Sequence, residues 1–159
     1  MIGIRHRSTM GVYLLVLIAL LDQLTKWWVV GVVMHPPRTI PEAPFLNLVL
    51  VWNKGVTFGL LNQFDPRLTK YVLIAVAALI VFLLGRWLWR THSTLIALAL
   101  GAIMGGAIGN VIDRLRYGAV ADFLDFYYRD YHWYAFNIAD AAIVTGVGLL
   151  LLDNLIRGR

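Results

Sequence analysis

Four stretches of the chain stay apolar for long enough to cross the hydrocarbon core of a bilayer, which takes roughly 20 residues of helix. They cover about 11–33, 71–89, 94–112 and 138–156. Between the first two spans, and again between the last two, the pattern breaks. Residues 34–70 open on the proline-rich "PPRTIPEAP" and continue into "FLNLVLVW", "NKG" and "VTFGLL". Two β-prone runs around a glycine-bearing turn predict a β-hairpin, whose strand edges could serve an extended peptide. Residues 113–137, "DRLRYGAVADFLDFYYRDYHWYAFN", are dense in Tyr, Phe and Trp, the side chains that settle at the headgroup level. They predict an amphipathic segment lying along the membrane interface. The expected fold is therefore membrane all-α: a four-transmembrane-helix bundle carrying a small β-hairpin and an interfacial amphipathic segment on one side.

Composition agrees with this pattern and narrows the function. The 159 residues are 60% hydrophobic and only 14% charged, where a soluble domain carries about 25% charge. A separate soluble domain does not fit beside four spans, so residues 1–159 are expected to be one domain. The net charge of +5 does not point to nucleic acid, because the basic residues are scattered in ones and twos; they read as topology signals. Arg5 and Arg7, Arg86 and Arg90, and Arg157 and Arg159 lie on short pieces free of acids, which predicts cytoplasmic N- and C-termini and puts the two long connections outside. "RHR" before the first span resembles a secretory leader, but "DQLTK" interrupts the apolar run and no small-x-small cleavage site follows, so this span is expected to be retained. The chain has no cysteine, which removes disulfides, thiolate chemistry and cysteine metal ligation.

The acids carry the remaining information. Five of the nine (Asp113, Asp122, Asp125, Asp130, Asp140) fall between the outer end of the third span and the start of the fourth. Each has a local structural explanation to set against a chemical one. Asn137 and Asp140 fit an N-cap and its third helical position. Asp113 sits beside Arg114 and Arg116 as a possible ion pair. Asp22 and Lys26, four apart in the first span, can neutralise each other, and Gly101, Gly105 and Gly109 suit close helix packing. Of the available chemistries, serine hydrolysis lacks a serine in either outer connection, and zinc lacks clustered ligands, since His6, His35, His92 and His132 are isolated. A pair of carboxylates remains. Two acids close together cannot both ionise, so one serves as general acid while the other takes a proton from water, with no cofactor and no metal. On spacing alone, Asp122 and Asp125 both qualify as partner to Asp140.

"DQLTK", "NKGVTFG", "GGAIGNVIDRLRYGAVADFLDF" and "FNIADAAI" resemble, in order and spacing, the motifs of the bacterial lipoprotein signal peptidases, the signal peptidase II family. The resemblance runs from Asp22 to about Thr145. It implies a four-span aspartic endopeptidase of the bacterial inner membrane, with its active site toward the periplasm, that cleaves prolipoproteins on the amino side of a diacylglyceryl-modified cysteine. It implies Asp122 and Asp140 as the catalytic pair, decides against Asp125, and makes Asn53, Gly55, Asn110, Arg114 and Asn137 substrate-binding or supporting residues. Asp22, Lys26 and Asp113 are left as structural polar groups. It further implies membrane lipid as surroundings, no nucleic-acid partner, a monomer, and susceptibility to globomycin-type inhibitors. The sequence departs from the family's pattern only in "VTFG", where alanine is expected before the phenylalanine, and in "VADF", where valine often precedes the aspartate. Two other classes stand beside this: a lipid phosphotransferase with Asp122 and Asp125 as Mg²⁺ ligands, and a non-enzymatic four-span scaffold or transporter.

Overall fold

The computed structural model describes residues 2–55 and 65–158. Four helices form where the apolar runs predict them: α1 (Ile2–Trp28), continued by a wider π-helical turn at Val29–Val33, α2 (Pro66–Leu88), α3 (Thr94–Tyr117) and α4 (Ile138–Arg157). All four are long and apolar enough to span a membrane. Polar residues mark their starts. Asp65 accepts from Arg67 N at 2.8 Å with Pro66 in the first turn, Ser93 accepts from Ile96 N, and Asn137 caps α4. Such caps satisfy N–H groups that have no partner inside the helix. α3 runs five residues beyond its apolar stretch and stops at Gly118, whose left-handed φ of 77° favours glycine. Asp113 and Arg114 thus ride on a helix instead of a loop.

α3 is the central helix, buried along most of its length, while α2 is almost entirely exposed to what would be lipid. The cause lies in side-chain size. Ala97, Ala99, Gly101, Ala102, Gly105 and Gly106 line α3, and a Cβ added at Gly101 would collide with the Gly11 backbone of α1. Such small residues let helix backbones approach closely where no hydrophobic force drives them together. Leu88, Leu100 and Met104 fill the core of this half.

The connections build a sheet at one end of the bundle. β1 (Ile40–Ala43), β2 (Leu46–Asn53), β3 (Val120–Tyr128) and β4 (Tyr131–His132) follow one another in that order, each antiparallel to the next. A hairpin is present, but "FLNLVLVW" pairs with the preceding "IPEA". Its other edge is taken by β3, and "VTFGLL" lies outside the described residues. The segment expected to lie along the interface carries β3 and β4, so the two outer connections form one sheet. Val29, Met34 and Phe123 pack its inner face against the end of α1, with Ile40, Leu48 and Leu50 around them. At the opposite end, Ser8 Oγ donates to Leu88 O at 2.9 Å and the Arg7 guanidinium to His92 O, holding the N-terminal turns against the α2–α3 link.

Candidate active site

Where the sheet meets α3 and α4, a cavity of about 740 Å³ is lined by Asn53, Gly55, Arg114, Asp122 and Asp140, with an apolar wall that includes Trp133, Phe136 and Val144. β3 delivers Asp122, which pairs across the sheet with Val51 of β2. α4 delivers Asp140 in its first turn. Both carboxylates predicted to act together therefore face one space.

Asp122 is 2% exposed. Asn137 Nδ2 donates to its Oδ1 at 2.7 Å and Asn53 Nδ2 to its Oδ2 at 3.1 Å. Burial, and after it the neighbouring Asp140 carboxylate, push the Asp122 carboxyl from 3.8 up to about 7, against the opposing pull of the two amides. Burial disfavours the charged form and a like charge does the same. Asp140 accepts at Oδ1 from Asn110 Nδ2 (2.8 Å) and at Oδ2 from Asn137 N (3.3 Å), while Asn137 Oδ1 accepts from Asp140 N (2.9 Å). The last two bonds form a reciprocal capping box. The capping role anticipated for Asn137 and Asp140 and their presence at the cavity are thus simultaneous. Asn137, fully buried, joins the two residues with one side chain, its Nδ2 donating to the Asp122 carboxylate and its Oδ1 accepting from the Asp140 backbone N–H.

Asn53 ends β2 and turns the chain with its own Oδ1, which accepts from Gly55 N at 3.2 Å. Arg114 reaches Gly55 O and Asn110 O, each at 3.4 Å, and its buried Nε has no partner among the described residues. Behind the cavity, Lys26 Nζ lies 2.9 Å from Asp22, 3.0 Å from Asp113 and 3.0 Å from Asn110 Oδ1. The Asp22–Lys26 pair is as the spacing predicts. Asp113 is not: its ion-pair partner is Lys26, not Arg114 or Arg116, because the helix turns Asp113 inward toward α1.

Asp125 lies elsewhere. It accepts from Asn47 Nδ2 at 3.0 Å and meets His132 Nδ1 at 2.9 Å, and it does not line the cavity. Three residues along a strand put Asp122 and Asp125 on opposite faces, which does not suit a shared Mg²⁺ site. The strand edges beside Asp122 are also occupied. β2 pairs on one side; on the other, Phe136 O accepts from Phe123 N and Asn137 Nδ2 donates to Ala121 O. Sequence reasoning misses the cavity wall of Trp133, Tyr134 and Phe136. Its signal is the aromatic density of "DYHWYAF", which also suits a headgroup-level belt. Phe136 is positioned by stacking on Phe126, which stacks in turn on Phe45, with ring centroids 5.7 and 6.1 Å apart.

The fold closely matches two solved structures described as bacterial membrane enzymes obtained by the in meso method. Each superposes with a TM-score of 0.79 at 26% identity, one covering 94% of this chain and 91% of its own, the other 91% and 92%. A lipoprotein signal peptidase of Beijerinckia indica is 44% identical over 84% of this chain and 80% of its own length, and one of Methylobacterium radiotolerans is 44% identical over 91% and 85%. The family described as signal peptidase (SPase) II matches residues 14–156. Over that range, nearly the whole chain, the sequence belongs to the signal peptidase II family.

Proposed function

We propose that Asp122 and Asp140 are the catalytic pair with which this membrane peptidase removes signal peptides from prolipoproteins, cutting on the amino side of a diacylglyceryl-cysteine. The observation that carries the assignment is the convergence of two carboxylates from a strand and a helix onto one cavity, with Asn137 donating to Asp122 from its side chain and to Asp140 from its backbone N–H. Asp122, raised to about 7, holds the shared proton near neutrality. Asp140, accepting from two N–H groups, takes a proton from water as its oxygen attacks the scissile carbonyl carbon. Asp122 gives its proton to the carbonyl oxygen. Collapse of the tetrahedral diol then breaks the C–N bond: one diol hydroxyl returns its proton to Asp122 as the carboxylic acid forms, and the proton held by Asp140 goes to the departing amine of the cysteine. Arg114 and Asn53 position substrate and acid, and Asn110 and Gly55 support them. No cofactor takes part.

The same proposal puts the enzyme in the bacterial inner membrane as a monomer, with both termini and the 86–92 link cytoplasmic and the cavity toward the periplasm. Clustering of the N-terminal turns with that link, at the end opposite the sheet, supports this. Globomycin-type inhibitors would occupy the cavity.

The test is cleavage of a purified lipid-modified prolipoprotein. Asp122→Asn and Asp140→Asn should each nearly abolish it, and the double variant should be scarcely worse than either, as groups sharing one step are non-additive. Asp125→Asn should keep most of the activity. Substantial turnover by folded Asp140→Asn would overturn the assignment.

A further inference from the structure

Two peptide N–H groups at the site are satisfied by carboxylates of other elements. Ala139 N donates to Asp22 Oδ1 and Ala121 N to Asp113 Oδ2, both at 3.0 Å and both from fully buried alanines. Ala139 immediately precedes Asp140, and Ala121 immediately precedes Asp122. One ammonium joins the two anchors: Lys26 Nζ is 2.9 Å from Asp22 Oδ2 and 3.0 Å from Asp113 Oδ2. Its third partner, Asn110 Oδ1, belongs to the side chain whose Nδ2 donates to Asp140.

We infer that Asp22, Lys26 and Asp113 are positioning residues for peptide cleavage: Asp22 fixes the start of α4, Asp113 fixes the start of β3, and Lys26 sets the distance between them. The inference rests on Asp122 and Asp140 being the catalytic pair. A buried ion cluster is a poor stabiliser, because desolvation offsets its Coulomb attraction and well-packed apolar residues often do as well. Apolar residues could not, however, accept two N–H groups. Ala139 N is one of the first-turn donors that a helix cannot satisfy internally, and here a span 117 positions away satisfies it. α3 makes room for the arrangement at Gly109, where a Cβ would collide with the Asp22 carboxylate.

The experiment measures kcat, KM and thermal unfolding on purified full-length variants with a lipid-modified prolipoprotein. Asp22→Ala and Asp113→Ala remove the acceptor and should lower kcat per folded molecule by about 100-fold, the scale of an ångström-sized misplacement, with KM changed by less than about twofold because binding contacts remain. Asp22→Asn and Asp113→Asn keep an acceptor oxygen but lose the charge, and should recover most of that kcat. A merely structural cluster predicts the reverse: lower melting temperatures, kcat per folded molecule unchanged, and no rescue by Asn. Either result, unchanged kcat in the Ala variants or Asn variants as slow as Ala, would overturn the inference.

Should the Ala variants not fold, Gly109→Ala decides. It keeps every charge but pushes the Asp22 carboxylate off Ala139, and kcat should drop by about tenfold or more; an unchanged kcat would overturn the inference. Asp122→Asn and Asp140→Asn run alongside. If they remain active the catalytic pair is wrong, whereas if they are inactive while the Asp22 and Asp113 variants keep their rates, only the positioning role fails.

Discussion

Replacing Asp122 by asparagine should make the enzyme inactive and change its stability in opposite directions at acid and alkaline pH. In the fold, the Asp122 carboxyl rises from 3.8 to about 7, so between about pH 4 and 7 the native state keeps a proton that the unfolded chain has released. Stability contributed by this group is therefore full below about pH 4, falls as pH climbs through that window, and levels off above 7. The shift is about three units at about 1.4 kcal/mol each, so an ionised Asp122 costs the fold at most about 4 kcal/mol at pH 8. The substitution removes that cost and introduces another. Both oxygens of Asp122 accept from amide donors, Asn137 Nδ2 and Asn53 Nδ2, so the amide nitrogen that Asp122→Asn introduces must face one of them, a mismatch of about 1–3 kcal/mol. The variant should unfold more easily than the parent near pH 4 and less easily at pH 8, by about 1–3 kcal/mol in each direction. Thermal unfolding in detergent across pH 4–8, with cleavage measured on the same samples, reads both effects. A stability difference between variant and parent that does not change with pH would show that burial does not hold the Asp122 proton.

The same raised carboxyl predicts a pH–rate profile for cleavage with an alkaline limb near pH 7, where Asp122 loses its proton; a rate flat to pH 9 would contradict the assignment of Asp122 as general acid. Asn53→Ala removes one donor to Asp122, so turnover should fall about tenfold and the alkaline limb should move upward, because that hydrogen bond favours the charged form. A lower melting temperature with unchanged turnover would make Asn53 only a turn residue. Cleavage should survive exhaustive chelation; loss in EDTA restored by Mg²⁺ would favour phosphotransferase-type chemistry.

What can be read from the sequence is what depends on near neighbours. Hydropathy locates the four spans, because lipid selects on composition over a whole segment. The Asn137–Asp140 capping box is visible from a spacing of three, and the Asp22–Lys26 pair from a spacing of four. Partners chosen by tertiary packing are not visible. Adjacency matches Asp113 to the arginines beside it, whereas its counter-ion, Lys26, lies far back along the chain on α1. The pairing of β2 with "IPEA" is not visible either, since Pro41 argues against a strand; β1 tolerates it as the edge of the sheet. The convergence of Asp122 and Asp140 comes from the resemblance, because spacing alone leaves Asp125 in contention. Their partners separate the two candidates: amides from β2 and the α4 cap for one, Asn47 and His132 for the other.

The filled edges of β3 bear on what kind of reader this enzyme can be. A protease that binds its substrate as an added strand inspects the peptide residue by residue, because each new backbone hydrogen bond brings the next side chain to a pocket. Around Asp122, β2, Phe136 and Asn137 already occupy the described strand's backbone groups, leaving no ladder there on which to spell out a sequence. Recognition then falls to what fills a cavity with one apolar wall and two acids. On the proposed function, such a site would read the shape and polarity of what fills it more than the order of the letters in its substrate.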